Sequence, residues 1–181
     1  FPSGVLLNKG ILSIYYGASD TTSCLARVHL DDLISSIYPK TQERWQFKRI
    51  KNNPIIVPEP NHPWESKATF NPGAIELGGK IHILYRALSN DNTSTIGYAS
   101  SDDGINVSER LIEPIYTPRE DFETKKIDGA NSGCEDPRIT KIKNNLYVCY
   151  TAFDGIGPPR VAATSIKEKD FLSHHWNWSK P

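Results

Sequence analysis

One pattern recurs three times along this chain, and it restricts the fold more than any other feature. Residues 4–20 read GVLLNKGILSIYYGASD, residues 73–91 read GAIELGGKIHILYRALSND, and residues 138–155 read RITKIKNNLYVCYTAFDG. Each begins with a short apolar strand and meets a tight turn: Asn8-Lys9-Gly10, Gly78-Gly79 or Asn144-Asn145. Gly and Asn tolerate the positive φ that two-residue hairpin turns require. A second strand follows and ends in a Tyr-x-Ala triplet: Tyr16-Gly17-Ala18, Tyr85-Arg86-Ala87 and Tyr150-Thr151-Ala152. After a polar loop comes a third strand (CLARVHL, TIGYASS, RVAATSI) and then an acidic turn at Asp31-Asp32, Asp102-Asp103-Gly104 or 168–170.

The triplets stand 69 and 65 residues apart, strands dominate, and no long helical period appears. A repeating unit of three or four antiparallel strands is a propeller blade. The fold class predicted is therefore all-β, a β-propeller with long loops on each blade. The alternative is an ordinary antiparallel sandwich whose hairpins resemble one another by chance. Between the first two units, four prolines (Pro54, Pro58, Pro60, Pro63) exclude a helix, and PIIV from Pro54 reads as a short strand. The LDDLISSIY stretch reads as a short helix or a strand end. A ring of three blades is too small to close, so the 181-residue chain reads as part of a larger propeller.

Composition narrows the chemistry. Lys plus Arg equals Asp plus Glu at 21 each, which argues against a general polyanion binder such as a nucleic-acid coat. Three cysteines without a CxxC pair read as reduced apolar residues, not as a disulfide frame or a zinc site. No apolar run approaches the roughly 20 residues that span a bilayer, so no membrane partner is expected.

In a propeller the leading ends of the innermost strands converge on one face. Here those ends are 1–4 (FPSG), 70–73 (FNPG) and 134–138 (CEDPR), polar groups riding on Pro-stiffened turns. The second strands add Arg86, and the loops add Asp20 and Asp91. Carboxylates and amides suit sugar hydroxyls, a carboxylic acid can protonate a glycosidic oxygen, and two arginines can clamp a phosphate. Plainer readings stand beside these. Asp91 in SNDNTS is equally a turn residue. Glu135 to Arg138 is equally an internal salt bridge between blades, and Asn71 a turn cap. His174 and His175 beside Trp176 and Trp178 read as surface or interblade packing, with no third metal ligand in view.

The ordered segments FNPGAI, YRA, IGYASSDDG, GCEDPRIT and YTA resemble glycoside hydrolase family 130. PPRVAATSIKEKDFLSHHWNWSKP, which ends the chain, is similar to the family's third-blade continuation. The resemblance covers about residues 45–181. It implies a five-bladed propeller acting on β-mannosides, as a phosphorylase or, in some branches, a hydrolase. Residues 1–38 resemble the family's last blade, 39–53 read as a linker, and 54–181 resemble its first blades, so the chain supplies about three blades in an inverted order. A cut piece of two tandem modules, a permuted half, and a ring fragment whose last blade still adjoins the first would each explain that order.

The same resemblance implies roles. Asp91 matches the general acid, Asn71 and Asp20 hold the mannosyl ring, Glu135 and Asp136 bind substrate, and Arg86 and Arg138 contact inorganic phosphate. Phosphate attacks the anomeric carbon from the opposite face and yields mannose 1-phosphate with inversion, needing one protein carboxyl. The family's other phosphate ligands, a Lys and a His, would lie beyond this chain. No cofactor is expected, with phosphate as co-substrate and a β-mannoside oligosaccharide as substrate. The expected compartment is cytoplasmic, and a homo-oligomer or the remainder of a longer chain is expected to complete the ring. An inverting hydrolase and a non-catalytic sugar-binding or assembly fragment are the rival expectations.

Overall fold

The computed structural model describes residues 2–37 and 48–181. Three antiparallel units follow one another. The first holds β1 (Pro2–Asn8), β2 (Ile11–Ala18), β3 (Thr22–His29), helix α1 (Leu30–Ile37) and β4 (Lys48–Arg49). The second holds β5 (Ala68–Leu77), β6 (Lys80–Leu88), β7 (Thr93–Ser101) and β8 (Glu109–Arg110). The third holds β9 (Ser132–Ile142), β10 (Asn145–Phe153), β11 (Arg160–Lys167) and helix α2 (Glu168–Leu172). The first unit is a four-stranded sheet ordered β1-β2-β3-β4, and the other two join through a short parallel pairing, Thr93↔Ser132 and Ser94↔Gly133. These are three blades of a propeller arc.

The blades share register. Tyr16, Tyr85 and Tyr150 occupy one equivalent position, because Tyr15, Leu84 and Cys149 pair with Gly4, Gly73 and Arg138 on the strands before them. The fourth strands also correspond: Arg49 lies opposite Ala26 and Arg110 opposite Ala99. Each arginine donates its Nε–H to the triplet tyrosine, at 3.0 Å for Arg49 to Tyr16 and 3.2 Å for Arg110 to Tyr85. The sequence reading missed these strands. Residues 39–47 of the expected linker, with Tyr38 and Phe1, lie outside the described residues, and PIIV contributes one bridge, Ile56 to Ser23.

Side-chain alternation builds the seams. One face of β2 and β3 and the facing surface of β6 form a core of Tyr15, Leu25, Ile81, Ile83 and Tyr85. The opposite face of the second blade meets the third through Leu84, Ile96, Tyr98, Leu146, Val148 and Tyr150. Complete burial of an aliphatic side chain such as Ile83, at 0% exposure, stabilises by about 1.5–3 kcal/mol. Inside these seams two carboxylates are fully buried. Glu65 accepts from Tyr85 Oη (2.8 Å) and Arg110 Nη2 (2.6 Å) and lies 2.6 Å from His62 Nδ1. Glu123 accepts from Tyr150 and Tyr116 hydroxyls and from the Arg119 and Glu120 backbone N–H groups. A triplet tyrosine therefore anchors a buried glutamate in both blades.

Two expected acidic turns are helix starts instead. Asp31 and Asp32 sit in the first turn of α1, and Glu168 and Asp170 in that of α2, where carboxylates complement the helix dipole. The third hairpin turns at Lys143-Asn144, one residue before the expected pair. The segment from His174 packs as the plainer reading holds: Trp176 and Trp178 lie against the second seam, and Trp178 Nε1 donates to Ile115 O at 2.8 Å. No described helix is long and apolar enough to cross a membrane.

Candidate active site at the mouth of the arc

β1, β5 and β9 are the innermost strands, and all three touch one another. Their approach is too close for side chains at two points. A Cβ on Gly4 would lie 2.9 Å from Ala74 N, and one on Gly73 would lie 2.7 Å from Pro137 O. Just before these points each inner strand breaks register, at 2–4, 70–73 and opposite 149–151. Such bulges re-aim side chains. In the second and third blades the bulge holds a non-glycine residue in the left-handed region, Asn71 at φ 48° and Asp136 at φ 54°. Asn and Asp tolerate that region better than other side chains, and the strain clusters at functional sites.

The two bulges face each other. Asn71 Nδ2 donates to Asp136 Oδ1 at 2.9 Å. Arg86, cross-strand from Phe70, reaches over the same spot: its Nη2 lies 2.7 Å from Glu135 Oε1, its Nη1 3.5 Å from Asp136 Oδ1, and its Nε 3.0 Å from Ser94 Oγ. The guanidinium carbon lies 4.7 Å from the Phe70 ring centroid, a cation–π contact. Arg86 and Glu135 are each 13% exposed, and Asp136 is 30% exposed. Burial raises the Glu135 carboxyl above the usual range, Arg86 opposes that shift, and the Asp136 charge reinforces it.

Asn71 is 8% exposed, and its Oδ1 has no hydrogen-bond partner. A Cβ on Gly17 would fall 2.4 Å from that oxygen and 3.1 Å from Asn71 N, so a side chain there would displace the amide. Arg138 donates Nη1 to the carbonyls of Asp136 (3.1 Å) and Pro137 (3.0 Å), and burial disfavours its cation. No carboxylate pairs with Arg138 among the described ion pairs, so its charge is available to an anion. Asp20 lies exposed in the β2–β3 turn at φ 51°, beside a contact in which Thr69 N donates to Thr21 O at 3.0 Å. That contact ties its turn to the strand carrying Asn71.

Asp91 stands differently from the others. Its carboxylate is 66% exposed and accepts from Ser89 Oγ, from Thr93 N at 3.1 Å and from Thr93 Oγ1 at 2.9 Å, with Lys125 Nζ 3.7 Å away. The Ser89 hydroxyl, followed by Thr93 and Lys125, holds its pKa below the usual carboxylate value. This is the local bonding of a turn aspartate. The geometry thus brings together Asn71, Arg86, Glu135 and Asp136, with Arg138 alongside. The sequence reading named Phe70 among the leading ends and Gly17 in the first triplet but gave neither a role at the site, and it missed Ser94. Among the described residues no group of three His, Cys, Asp or Glu side chains could hold a metal.

Comparison with known proteins gives this cluster its context. The family profile described as beta-1,4-mannooligosaccharide phosphorylase, glycoside hydrolase family 130, matches residues 43–174. A beta-1,2-mannobiose phosphorylase of Thermoanaerobacter sp. (strain X514) is 40% identical over 127 residues, covering 61% of this chain and 38% of that protein. A 1,2-beta-oligomannan phosphorylase of the same strain is 36% identical over 115 residues, covering 60% of this chain and 36% of that protein. The crystal structure of a glycosyl hydrolase from Bacteroides ovatus superposes with TM-score 0.61 at 33% identity, covering 75% of this chain and 40% of that one. The chain spans about two fifths of the length of the curated relatives it matches, 38% and 36%. The profile match, running through every residue of the Asn71–Arg86–Glu135–Asp136 cluster, establishes that this chain belongs to glycoside hydrolase family 130.

Proposed function

We propose that this chain carries the acid and sugar side of a site for inverting phosphorolysis of β-mannosides, with β-mannoside oligosaccharide and inorganic phosphate as substrates. The observation that carries the reading is the Asn71–Asp136 bond across two blades, with Arg86 bridging Asp136 and Glu135. In this reading Asp136, the more exposed member of the Glu135–Asp136 pair, delivers the proton to the departing sugar oxygen. Asp91, ionised and occupied by its own turn, does not fit a general acid, whose pKa must lie near the operating pH. Asn71 and Asp20 contact sugar hydroxyls. Arg86 is neutralised by carboxylates and orients the acid, which leaves Arg138 as the phosphate contact.

The proposed step balances as follows. A phosphate oxygen bonds to the anomeric carbon as the glycosidic C–O bond breaks, and the acid's proton passes to the leaving oxygen. The products are mannose 1-phosphate of inverted configuration and the shortened sugar. An inverting hydrolase would instead need a second carboxyl roughly 6.5–9.5 Å from the acid to activate a water. A reaction that consumes phosphate and yields a sugar phosphate fits the cytoplasm, which we propose as the compartment.

Product formation from β-1,2-mannobiose with and without inorganic phosphate tests the reading. It predicts mannose 1-phosphate only when phosphate is present. Free mannose appearing equally fast without phosphate would replace phosphorolysis with hydrolysis, and sugar binding without turnover would favour a binding fragment.

A further inference from the structure

The ladder that joins the second and third blades is two residue pairs long, Thr93↔Ser132 and Ser94↔Gly133. So short a run of small polar residues specifies its register weakly. The candidate site nevertheless depends on that register. Ser94 Oγ accepts from Arg86 Nε at 3.0 Å, and Glu135, three residues beyond Ser132, lies 2.7 Å from Arg86 Nη2. A slip of one residue would move β9 by about 3.3 Å, which is enough to break that contact. The register therefore needs an anchor outside the ladder.

Asn92 stands at the head of the ladder, and each of its polar atoms is engaged. Its carbonyl accepts from Ser132 N at 3.1 Å, and its N–H donates to Ser89 O at 3.0 Å. Nδ2 donates to Gly129 O at 2.8 Å, and Oδ1 accepts from Lys67 Nζ. One residue thus ties the β6–β7 turn to the segment before β5, to the loop entering β9 and to β9 itself. Its backbone is left-handed, φ 66°, a conformation that Asn tolerates. The loop entering β9 has two more anchors. Lys125 Nζ donates to the Asp91 carbonyl, and Lys126 N donates to Asp154 O at 3.0 Å while its Nζ lies 2.8 Å from Asp154 Oδ2. Of these anchors, Asn92 also holds Ser132, the first residue of β9.

We propose that Asn92 is a positioning residue for the site: its side chain fixes the β7–β9 register and so holds Glu135 and Asp136 against Arg86. It acts through the loop and Ser132, and it touches no reacting atom. Further along β9, Arg138 is fixed independently, by its pairing with Cys149 and by the close approach of Pro137 O to Gly73. Loss of the Asn92 side chain therefore loosens the carboxyl pair and leaves the anion contact in place. The effect on turnover rests on the proposed phosphorolysis; the effect on register rests on the fold alone.

Asn92→Gly tests it, because glycine accepts the left-handed φ and the change removes the side-chain bonds to Gly129 and Lys67. Amide hydrogen exchange on the 181-residue chain is expected to find Ser132 exchanging about tenfold faster, the loss of roughly one net hydrogen bond, with the β10 amides unchanged. Carbon-13 NMR is expected to show the Glu135 carboxyl titrating at higher pH than in wild type, because Arg86, which lowers its pKa, is held less closely. In mannose 1-phosphate release from β-1,2-mannobiose, kcat is expected to fall about 10–100-fold, the usual effect of a small misplacement, with the phosphate KM within about twofold. Asn92→Asp keeps the Lys67 acceptor and tolerates the same φ. It is the second variant if Asn92→Gly melts early, with the same exchange and kcat results expected. Unchanged Ser132 exchange with an unmoved Glu135 titration, an unchanged kcat, or a phosphate KM that rises in step with the fall in kcat would each overturn the proposal. If the wild-type chain yields no mannose 1-phosphate, the phosphorolysis reading fails, and exchange and titration still decide the role of Asn92.

Discussion

Asn71 and Asp136 lie 65 residues apart in sequence, share a 2.9 Å hydrogen bond, and adopt the same left-handed backbone, φ 48° and 54°. Each sits at the register break of an inner strand, so the repeat that builds the blades also brings two strained residues face to face. The strain and the bond make a first prediction. Asn71→Ala loses a hydrogen bond to a charged group, which contributes about 1.5–3 kcal/mol, and keeps a side chain at an unfavourable φ. Asn71→Gly loses the same bond but tolerates the φ. Urea denaturation is expected to find Asn71→Ala the less stable of the two; the reverse order would remove backbone strain from the account.

Gly73 tests how closely the inner strands pack. A Cβ there would lie 2.7 Å from Pro137 O, a backbone atom that cannot swing away. Gly73→Ala is expected to destabilise by about 1–3 kcal/mol through overpacking, read as a lowered denaturation midpoint. An unchanged midpoint would mean that β5 and β9 stand further apart.

The buried Glu65 supports the second blade. It has 0% exposure and serves Tyr85, Arg110 and His62. Glu65→Ala leaves Arg110 without its carboxylate, a loss that costs about 3–5 kcal/mol for a buried pair. Arg110 is partly exposed, with a side chain at 20%, so the lower end of that range is expected. Tyr85→Phe in the Glu65→Ala background should cost less than in the wild type, because the two side chains act through one bond; additive losses would contradict the network.

Glu135 predicts a pH dependence. Its folded pKa is raised, chiefly by burial. A raised carboxyl contributes stability that is present below its unfolded pKa and lost as pH rises through the folded value. Glu135→Gln lacks that titration. From pH ~4.5 upward, starting at the unfolded range, the stability of Glu135→Gln relative to wild type should therefore improve. A relative stability that is flat or falls over that interval would show that Arg86 outweighs desolvation at this carboxyl.

Much of this architecture was legible in the sequence, for definite reasons. Turn residues, alternation and the Tyr-x-Ala triplet are local signals, and they yielded the hairpins, the three blades and the convergence of Asn71, Arg86 and the 134–138 segment. The fourth strands were not legible, because Lys48-Arg49 and Glu109-Arg110 are two charged residues each and carry no period. Glu65 and Glu123 look solvated in sequence and are buried only because tyrosines from other strands reach them. The separation of Asp91 from Asp136 is also a tertiary fact. Both are aspartates near strand ends, but one bonds within its own turn and the other bonds across blades.

The acid assignment is the central claim, and one paired measurement tests it most directly. Mannose 1-phosphate release from β-1,2-mannobiose and inorganic phosphate should be followed for Asp136→Asn and Asp91→Asn side by side. The account predicts a loss of about 10²–10⁴-fold for Asp136→Asn, the usual contribution of a general acid, and a near-wild-type rate for Asp91→Asn. A large loss in Asp91→Asn with Asp136→Asn still active would contradict it.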